Sequence, residues 1–135
     1  MAIRFNSSEI SATSRATSGV KGINLSVDDQ IVSAIPVRNV NDNLAIFAKN
    51  GVAKKIDLAE LPVQKRAGKG LMCYKPTDMT GEVSAATLVE NGDSVLILGD
   101  KNNICIEASE IPVLSRSSVG NLVIKNNKVL SVSKV

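Results

Sequence analysis

The chain has 135 residues, enough for one domain, and 44% hydrophobic with 21% charged residues is the balance of a packed globular core rather than a disordered tail. The net charge of +3 is too small to name a partner by itself, and the absence of histidine excludes His-based acid–base pairs and Ser–His triads. No apolar run approaches the roughly 18–20 residues that span a bilayer. The opening residues lack the order of a signal peptide, so a cytoplasmic protein is expected.

Only Phe5, Phe47 and Tyr74 are aromatic, so the core must be built from Ile, Val, Leu and Ala, a composition that favours sheet. In chain order, Ile3-Arg4-Phe5 reads as a strand running into a short turn at Ser7 to Ile10. The acidic–aliphatic pair Glu9-Ile10 is followed by Arg15, then Gly19, then the strand-like Val32-Ser33-Ala34. Leu44–Ala48 and the run after Asn50-Gly51 form a hairpin. A short turn at Leu58 to Leu61, the pair Glu60-Leu61, Arg66, Gly70 and Val83-Ser84-Ala85 then repeat the first series. Ser94–Leu98, the turn Gly99–Asn103, a further strand and a short turn at Ala108 to Ile111 begin it again. Glu110-Ile111, Arg116, Gly120 and Leu130-Ser131-Val132 complete it.

From Arg15 to Arg66 is 51 residues and from Arg66 to Arg116 is 50. A period of that length with about four short strands suits a propeller blade. Helical repeats are disfavoured, because β-branched residues and Gly/Asn turns interrupt every window before an apolar stripe covers three turns. The expected fold is all-β: a propeller of about three four-stranded blades in one domain over 1–135, with repeats at about 1–40, 41–90 and 91–135. The first repeat is incomplete, since nothing before Ile3 can pair as its first strand, and an arc of this kind has edges to cover.

Charge is uneven along the chain. Lys54, Lys55, Lys65, Arg66, Lys69 and Lys75 fall within 22 positions, among which Asp57 and Glu60 are the only acids. A loop carrying Lys65, Arg66 and Lys69 with Gly68 and Gly70 between them can bring backbone amides and cations to neighbouring phosphates. Alternation along a strand means that at most one of Lys54 and Lys55 need face the DNA. Arg15 and Arg116 are the counterparts in the other repeats, with Arg4, Lys21, Lys101 and Lys125 as further candidates. The competing reading of Arg15, Arg66 and Arg116 is structural, each pairing with Glu9, Glu60 or Glu110 to brace its own blade. No catalytic residue, cofactor or metal is expected: Cys73 and Cys105 lie 32 residues apart with no further Cys or His, the acids are scattered, and no Gly-rich loop ends in Gly-Lys-Ser/Thr.

Asn50-Gly51-Val52-Ala53-Lys54-Lys55, Glu60-Leu61, Gln64–Gly70, Ile104 through Gly120 and Val129–Val135 together resemble the last blades of the carboxy-terminal domain found in the A-type subunits of DNA gyrase and topoisomerase IV. The resemblance covers essentially the whole chain. It implies a β-pinwheel, a propeller variant whose basic rim bends DNA without reading its sequence, with Gln64, Lys65, Arg66 and Lys69 in the rim. Gln64–Gly70 is also similar to the seven-residue box that separates gyrase from topoisomerase IV, although Ala67 stands where that box has its first glycine, and the family's box belongs to the first blade. The implied partners are double-stranded DNA, the rest of the A-type subunit of the topoisomerase, and its ATPase subunit, with no membrane. The exposed edges point either to a longer ring or to a homodimer completing six blades, the Val129–Val135 strand of one chain meeting Ala2–Phe5 of the other. The alternative function is a protein-interaction propeller whose basic residues are merely solvated.

Overall fold

The computed structural model describes all of residues 1–135. Seven strands and three one-turn 3-10 helices make up the regular structure, with no α-helix and therefore no helix long and apolar enough to cross a membrane. The strands are β1 (Asn43–Ala48), β2 (Val52–Asp57), β3 (Val83–Val89), β4 (Ser94–Gly99), β5 (Asn103–Glu107), β6 (Asn121–Leu122) and β7 (Val129–Lys134). The single turns Ser7–Glu9, Leu58–Glu60 and Ala108–Glu110 fall where the sequence places them. Each is started by a side chain that occupies an otherwise orphaned amide. Asn6 accepts from the Ser8 amide at 2.9 Å and Asp57 from the Ala59 amide at 2.8 Å, while Glu107 and Glu110 form a reciprocal capping box.

Two antiparallel sheets result, one ordered β3-β1-β2-β6 and the other β5-β4-β7. The hairpin β1–β2 takes its own repeat's last strand, β3, on one side, and on the other β6, which belongs to the following repeat. The third repeat reproduces the first half of this plan, with β7 against β4 and β5 beyond it. The first repeat follows it too: Ala2 bridges Leu71 as Ala53 bridges Asn121, and Arg4 bridges Val63 as Lys55 bridges Val113. Each repeat thus lends a strand to the sheet of the repeat before it.

Strand β1 is buried on both faces. Successive side chains point to opposite sides, and here each side meets a different core. Leu44, Ile46 and Ala48 pack with Ile56, Leu58, Leu61, Cys73, Tyr74 and Leu88. Ala45 and Phe47 pack with Val95, Ile97, Ile111, Ile124 and Val129 of the third repeat. This explains why Leu44–Ala48 reads as a continuous apolar run rather than an alternating one. On β4 the pattern changes: Val95 and Ile97 are buried against the second repeat, while Leu98, on the opposite face, is 37% exposed.

Two expected strands are absent from the sheets: Ile3-Arg4-Phe5 makes only an isolated bridge at Arg4, and Val32-Ser33-Ala34 makes none. Val32-Ser33-Ala34, the counterpart of Val83–Ala85, is not in a strand, although the Ser33 hydroxyl donates to the Ala86 carbonyl at 3.0 Å and so lies beside β3. In the other repeats this segment pairs with the repeat's first strand, and the chain holds no such strand ahead of Ile3. The β7 backbone is already engaged with β4 along one side, and Ala2 and Arg4 with Leu71 and Val63.

The glycines of the repeat are needed for two reasons that can be separated. Gly70 and Gly120 have φ of +76° and +105°, and a Cβ on them would lie 2.3 Å from the Ala2 carbonyl oxygen and 2.6 Å from that of Ala53. Gly19 has φ of +79° but nothing within 4 Å. Gly19→Ala should therefore cost only the left-handed strain, about 1 kcal/mol. Gly120→Ala adds a clash with backbone and should cost roughly 3 kcal/mol or more. Urea denaturation of the two variants checks this; equal losses would contradict it.

Candidate nucleic-acid interface

The basic loop is held by the repeat that precedes it. The Gln64 amide donates to the Arg4 carbonyl at 2.7 Å, Ala67 to Gly22 at 2.9 Å, and Asn24 returns a bond to the Gly68 carbonyl at 2.8 Å. Ala67 sits at the turn with φ of 67°, in the left-handed region that favours glycine. With the backbone fixed in this way, Lys65 and Lys69 stand exposed at either side of the turn, Gln64 is half-buried, and Lys75 is exposed further along.

Arg66 and Arg116 occupy equivalent places and make equivalent bonds, but not within their own repeats. The Arg66 amide donates to Glu9 Oε1 at 3.1 Å and its Nε to the Glu9 carbonyl at 3.2 Å. The Arg116 amide donates to Glu60 Oε2 at 2.9 Å, its Nε lies 3.8 Å from the same oxygen, and its guanidinium reaches the Met72 carbonyl at 3.3 Å. The pairing expected inside each blade is displaced by one repeat, so the bracing runs between blades. The side chains of Arg116 and Glu60 are each 37% exposed, so the ion pair contributes little, about 0–1 kcal/mol. The amide-to-carboxylate bond is the stronger tie, because a charged acceptor strengthens it. Arg15, the third of the series, is exposed and makes no hydrogen bond or ion pair in the chain.

Lys54 and Lys55 do not belong to the exposed patch, contrary to the expectation that one of them faces outward. They are 0% and 2% exposed. The Lys54 amine donates to the carbonyls of Ser115, Arg116 and Ser118 at 3.0, 2.7 and 2.7 Å and lies 5.3 Å from the centre of the Tyr74 ring. The Lys55 amine donates to the Ala108 carbonyl at 2.7 Å and to Asn91 Oδ1 at 3.1 Å. Each side chain points to a different face of β2, as alternation requires, and each amine is held by carbonyls of the third repeat. Burial pulls both amines below the ordinary lysine pKa and raises that of the Tyr74 phenol. Lys54 fills a role that its sequence neighbours could not reveal: it closes the turn that carries Arg116.

A second polar surface comes from three turns. Asn50, Asp100, Lys101, Asn126, Asn127 and Lys128 line an open recess of about 330 Å³, with Lys128 bonded to Asn50 and Asp100 accepting from the Lys128 amide at 2.7 Å. These residues come from three separate turns of the chain, so spacing alone does not join them. Lys125 lies on the same stretch and is exposed.

The comparisons with known proteins bear on this arrangement directly. The family model described as "DNA gyrase C-terminal domain, beta-propeller" matches residues 1–38 and 42–98. The chain belongs to the DNA gyrase C-terminal domain family. The DNA gyrase A protein of Escherichia coli K12 is 32% identical over 91% of the chain, and that of Klebsiella oxytoca is 30% identical over the same share. In both cases the chain spans only 14% of the relative's length. Among solved structures, the C-terminal domain of DNA topoisomerase IV aligns over 97% of the chain and 42% of its own, with a TM-score of 0.90 and 27% identity. The DNA gyrase A C-terminal domain aligns over 96% and 45%, with a TM-score of 0.87 and 28% identity. The fold of this gyrase-type domain is thus the β-propeller of its family.

In the gyrase-type repeat, Lys54 carries a load that can be measured. Replacing it by methionine keeps the bulk but leaves three carbonyls without their donor, so Lys54→Met should cost about 2–4 kcal/mol. Because the folded-state pKa of Lys54 is lowered, the unfolded chain binds more protons between that value and the ordinary 10.5. Stability contributed at this site therefore rises with pH through that window. Denaturation midpoints followed from pH 8 to 10 should climb less in Lys54→Met than in the parent; an equal climb would mean that Lys54 titrates as an exposed lysine.

Proposed function

We propose that this chain is a DNA-binding and DNA-wrapping module of the A-type subunit of a bacterial type IIA topoisomerase, gyrase-like, which holds duplex DNA by its phosphates and supports topology change carried out elsewhere in the enzyme. The observation that carries the reading is the loop Gln64–Gly70, whose backbone is tied to the preceding repeat while Lys65 and Lys69 project into solvent. Cations fixed in this way on a rigid blade contact phosphates at little entropic cost and carry no base readout. Arg66 adds part of its guanidinium surface, the remainder being occupied by the carbonyls of Glu9 and Lys21. The family relationship supports the same role. On this reading the partners are double-stranded DNA, the rest of the topoisomerase polypeptide and the ATPase subunit, in the cytoplasm of a bacterium.

The magnitudes limit what the chain does alone. Bending 20–30 base pairs by 40–90° costs on the order of 1–6 kcal/mol, so wrapping needs several phosphate contacts to offset it. With Lys54 and Lys55 inside the protein, this rim offers Lys65, Lys69 and part of Arg66, with the exposed Lys75 beyond them. Binding by the isolated chain is accordingly weak, sequence-tolerant and steeply salt-dependent.

The test is a salt titration. Log affinity for a random duplex should fall against log salt with a slope near −0.9 per phosphate contacted, and the double variant Lys65→Ala, Lys69→Ala should flatten it by about two units. Both side chains are exposed, so the fold should stay intact by circular dichroism. An unchanged slope in a folded double variant would remove this loop from the DNA contact and leave the solvated-propeller reading in its place.

A further inference from the structure

We propose that the polar recess between the turns of the second and third repeats is a binding site for a phosphoryl anion, carried either by a free oligophosphate or by a DNA backbone. The recess shares no residue with the loop Gln64–Gly70 and does not depend on the role given to that loop.

Its walls are set before any ligand arrives. Asn127, 6% exposed, clamps the turn that follows β4: its Oδ1 accepts from the Lys101 amide at 2.9 Å and its Nδ2 donates to the Asn102 carbonyl at 2.6 Å. A Cβ on Gly99 would lie 2.2 Å from that Nδ2, so glycine is what lets the clamp close. The Lys128 amide donates to Asp100 Oδ1 at 2.7 Å, and the Asp100 amide to the Lys128 carbonyl at 3.0 Å. The turn between β1 and β2 is tied on by the Val129 amide, which donates to the Lys49 carbonyl at 2.9 Å. Asn50 is fixed in that turn by its Nδ2, which donates to the Met79 carbonyl at 2.9 Å. All of these bonds are made within the second and third repeats. Groups held in this way lose little freedom when a ligand binds.

The lining narrows the ligand. None of its residues is hydrophobic, so a ligand that binds by burying apolar surface is excluded, and there is no aromatic ring for a sugar to stack on. A metal cation needs several hard oxygen ligands, whereas Asp100 is the only carboxylate and Lys101 and Lys128 stand beside it. An anion is better served. Lys101 and Lys128 against Asp100 leave a charge of +1, and the exposed Lys125 adjoins Asn126. Neither lysine forms an ion pair with Asp100, since the ion pairs of the chain are Arg116–Glu60 and Lys134–Asp93. The Lys128 amine bonds Asn50 Oδ1 and has further N–H groups to give, as has the Asn50 amide. Asn126 takes a left-handed backbone with φ of 53°, a strained conformation of the kind that gathers at binding sites. A volume of about 330 Å³ has room for linked phosphoryl groups.

The test titrates the isotope-labelled chain with inorganic pyrophosphate and follows its amide resonances, with sodium chloride of equal ionic strength as the control. The amides of Asn50, Lys101 and Asn126–Lys128 should shift and saturate, with a dissociation constant on the order of 1 mM. The double variant Lys101→Gln, Lys128→Gln takes the lining charge from +1 to −1 and should weaken binding about tenfold or more. Both side chains are exposed, and unmoved resonances in β1 to β3 will show that the fold is kept. Lys65→Ala, Lys69→Ala should leave the recess shifts as they are, which separates this site from the basic loop. A short duplex identifies the source. If it displaces pyrophosphate and moves the same amides, the phosphates are those of DNA; if it leaves them unmoved, the ligand is a free oligophosphate. Shifts that never saturate and that sodium chloride reproduces overturn the proposal. So do saturating shifts that Lys101→Gln, Lys128→Gln leaves at full affinity.

Discussion

The structure depends on one recurring act: the second and third repeats each place the stretch around the recurring arginine, Val63–Leu71 and Val113–Asn121, on the edge of the repeat before it. Backbone amides meet backbone carbonyls along Arg4 and Lys55, the arginine amide meets a carboxylate, and the glycine lets the chain pass within contact of a carbonyl. A β-edge left bare presents a row of unsatisfied amides and carbonyls. Here the edge of one repeat is satisfied by the next, so the hairpins need no long strands of their own. The cores follow from the same placement, since β1 can be apolar on both faces only because a neighbour lies on each.

The basic loop inherits its rigidity from that placement. Lys65 and Lys69 are held not by their own side chains but by the bonds of Gln64, Ala67 and Gly68 to the first repeat. Function and architecture thus share a backbone, with the exposed cations on one side of it and the inter-repeat bonds on the other. In the third repeat the same turn carries Arg116 with serines around it, and its carbonyls are spent on Lys54 rather than left to solvent. The second repeat's turn presents Lys65 and Lys69 to solvent, whereas the third repeat's turn presents serines.

Much of this was legible in the sequence, and the parts that were not have a common cause. The 51- and 50-residue spacing, the hairpins and the three short turns are local or periodic signals, and the turns in particular are written in their caps: Asn6, Asp57 and the pair Glu107 and Glu110. Burial of Lys54 and Lys55 was not legible, because two adjacent lysines on a strand look solvated until the carbonyls of the next repeat are brought to both amines. The sequence shows the arginines and glutamates as partners but places each pair within one repeat. Six residues of separation suggest a local bond, whereas the exchange of strands moves Arg66 and Arg116 to the glutamates 57 and 56 positions earlier in the chain. The first repeat's Val32–Ala34 reads as a strand from its likeness to Val83–Ala85, yet a strand requires a partner and this one has none.

The lending of β6 to the sheet of β1 and β2 has a further consequence for how such arrays grow and break. A boundary drawn between repeats in the sequence never coincides with a boundary between sheets in space. Removing one repeat by deletion or by a protease would take a strand from the sheet on one side and leave an uncovered apolar face on the other, so two units fail for each one lost. Neighbouring units are then coupled strongly compared with their individual stability, and the array melts as a block rather than unit by unit. Duplication of whole repeats is correspondingly easy, because every new copy brings both the strand it must lend and the edge that will receive the next.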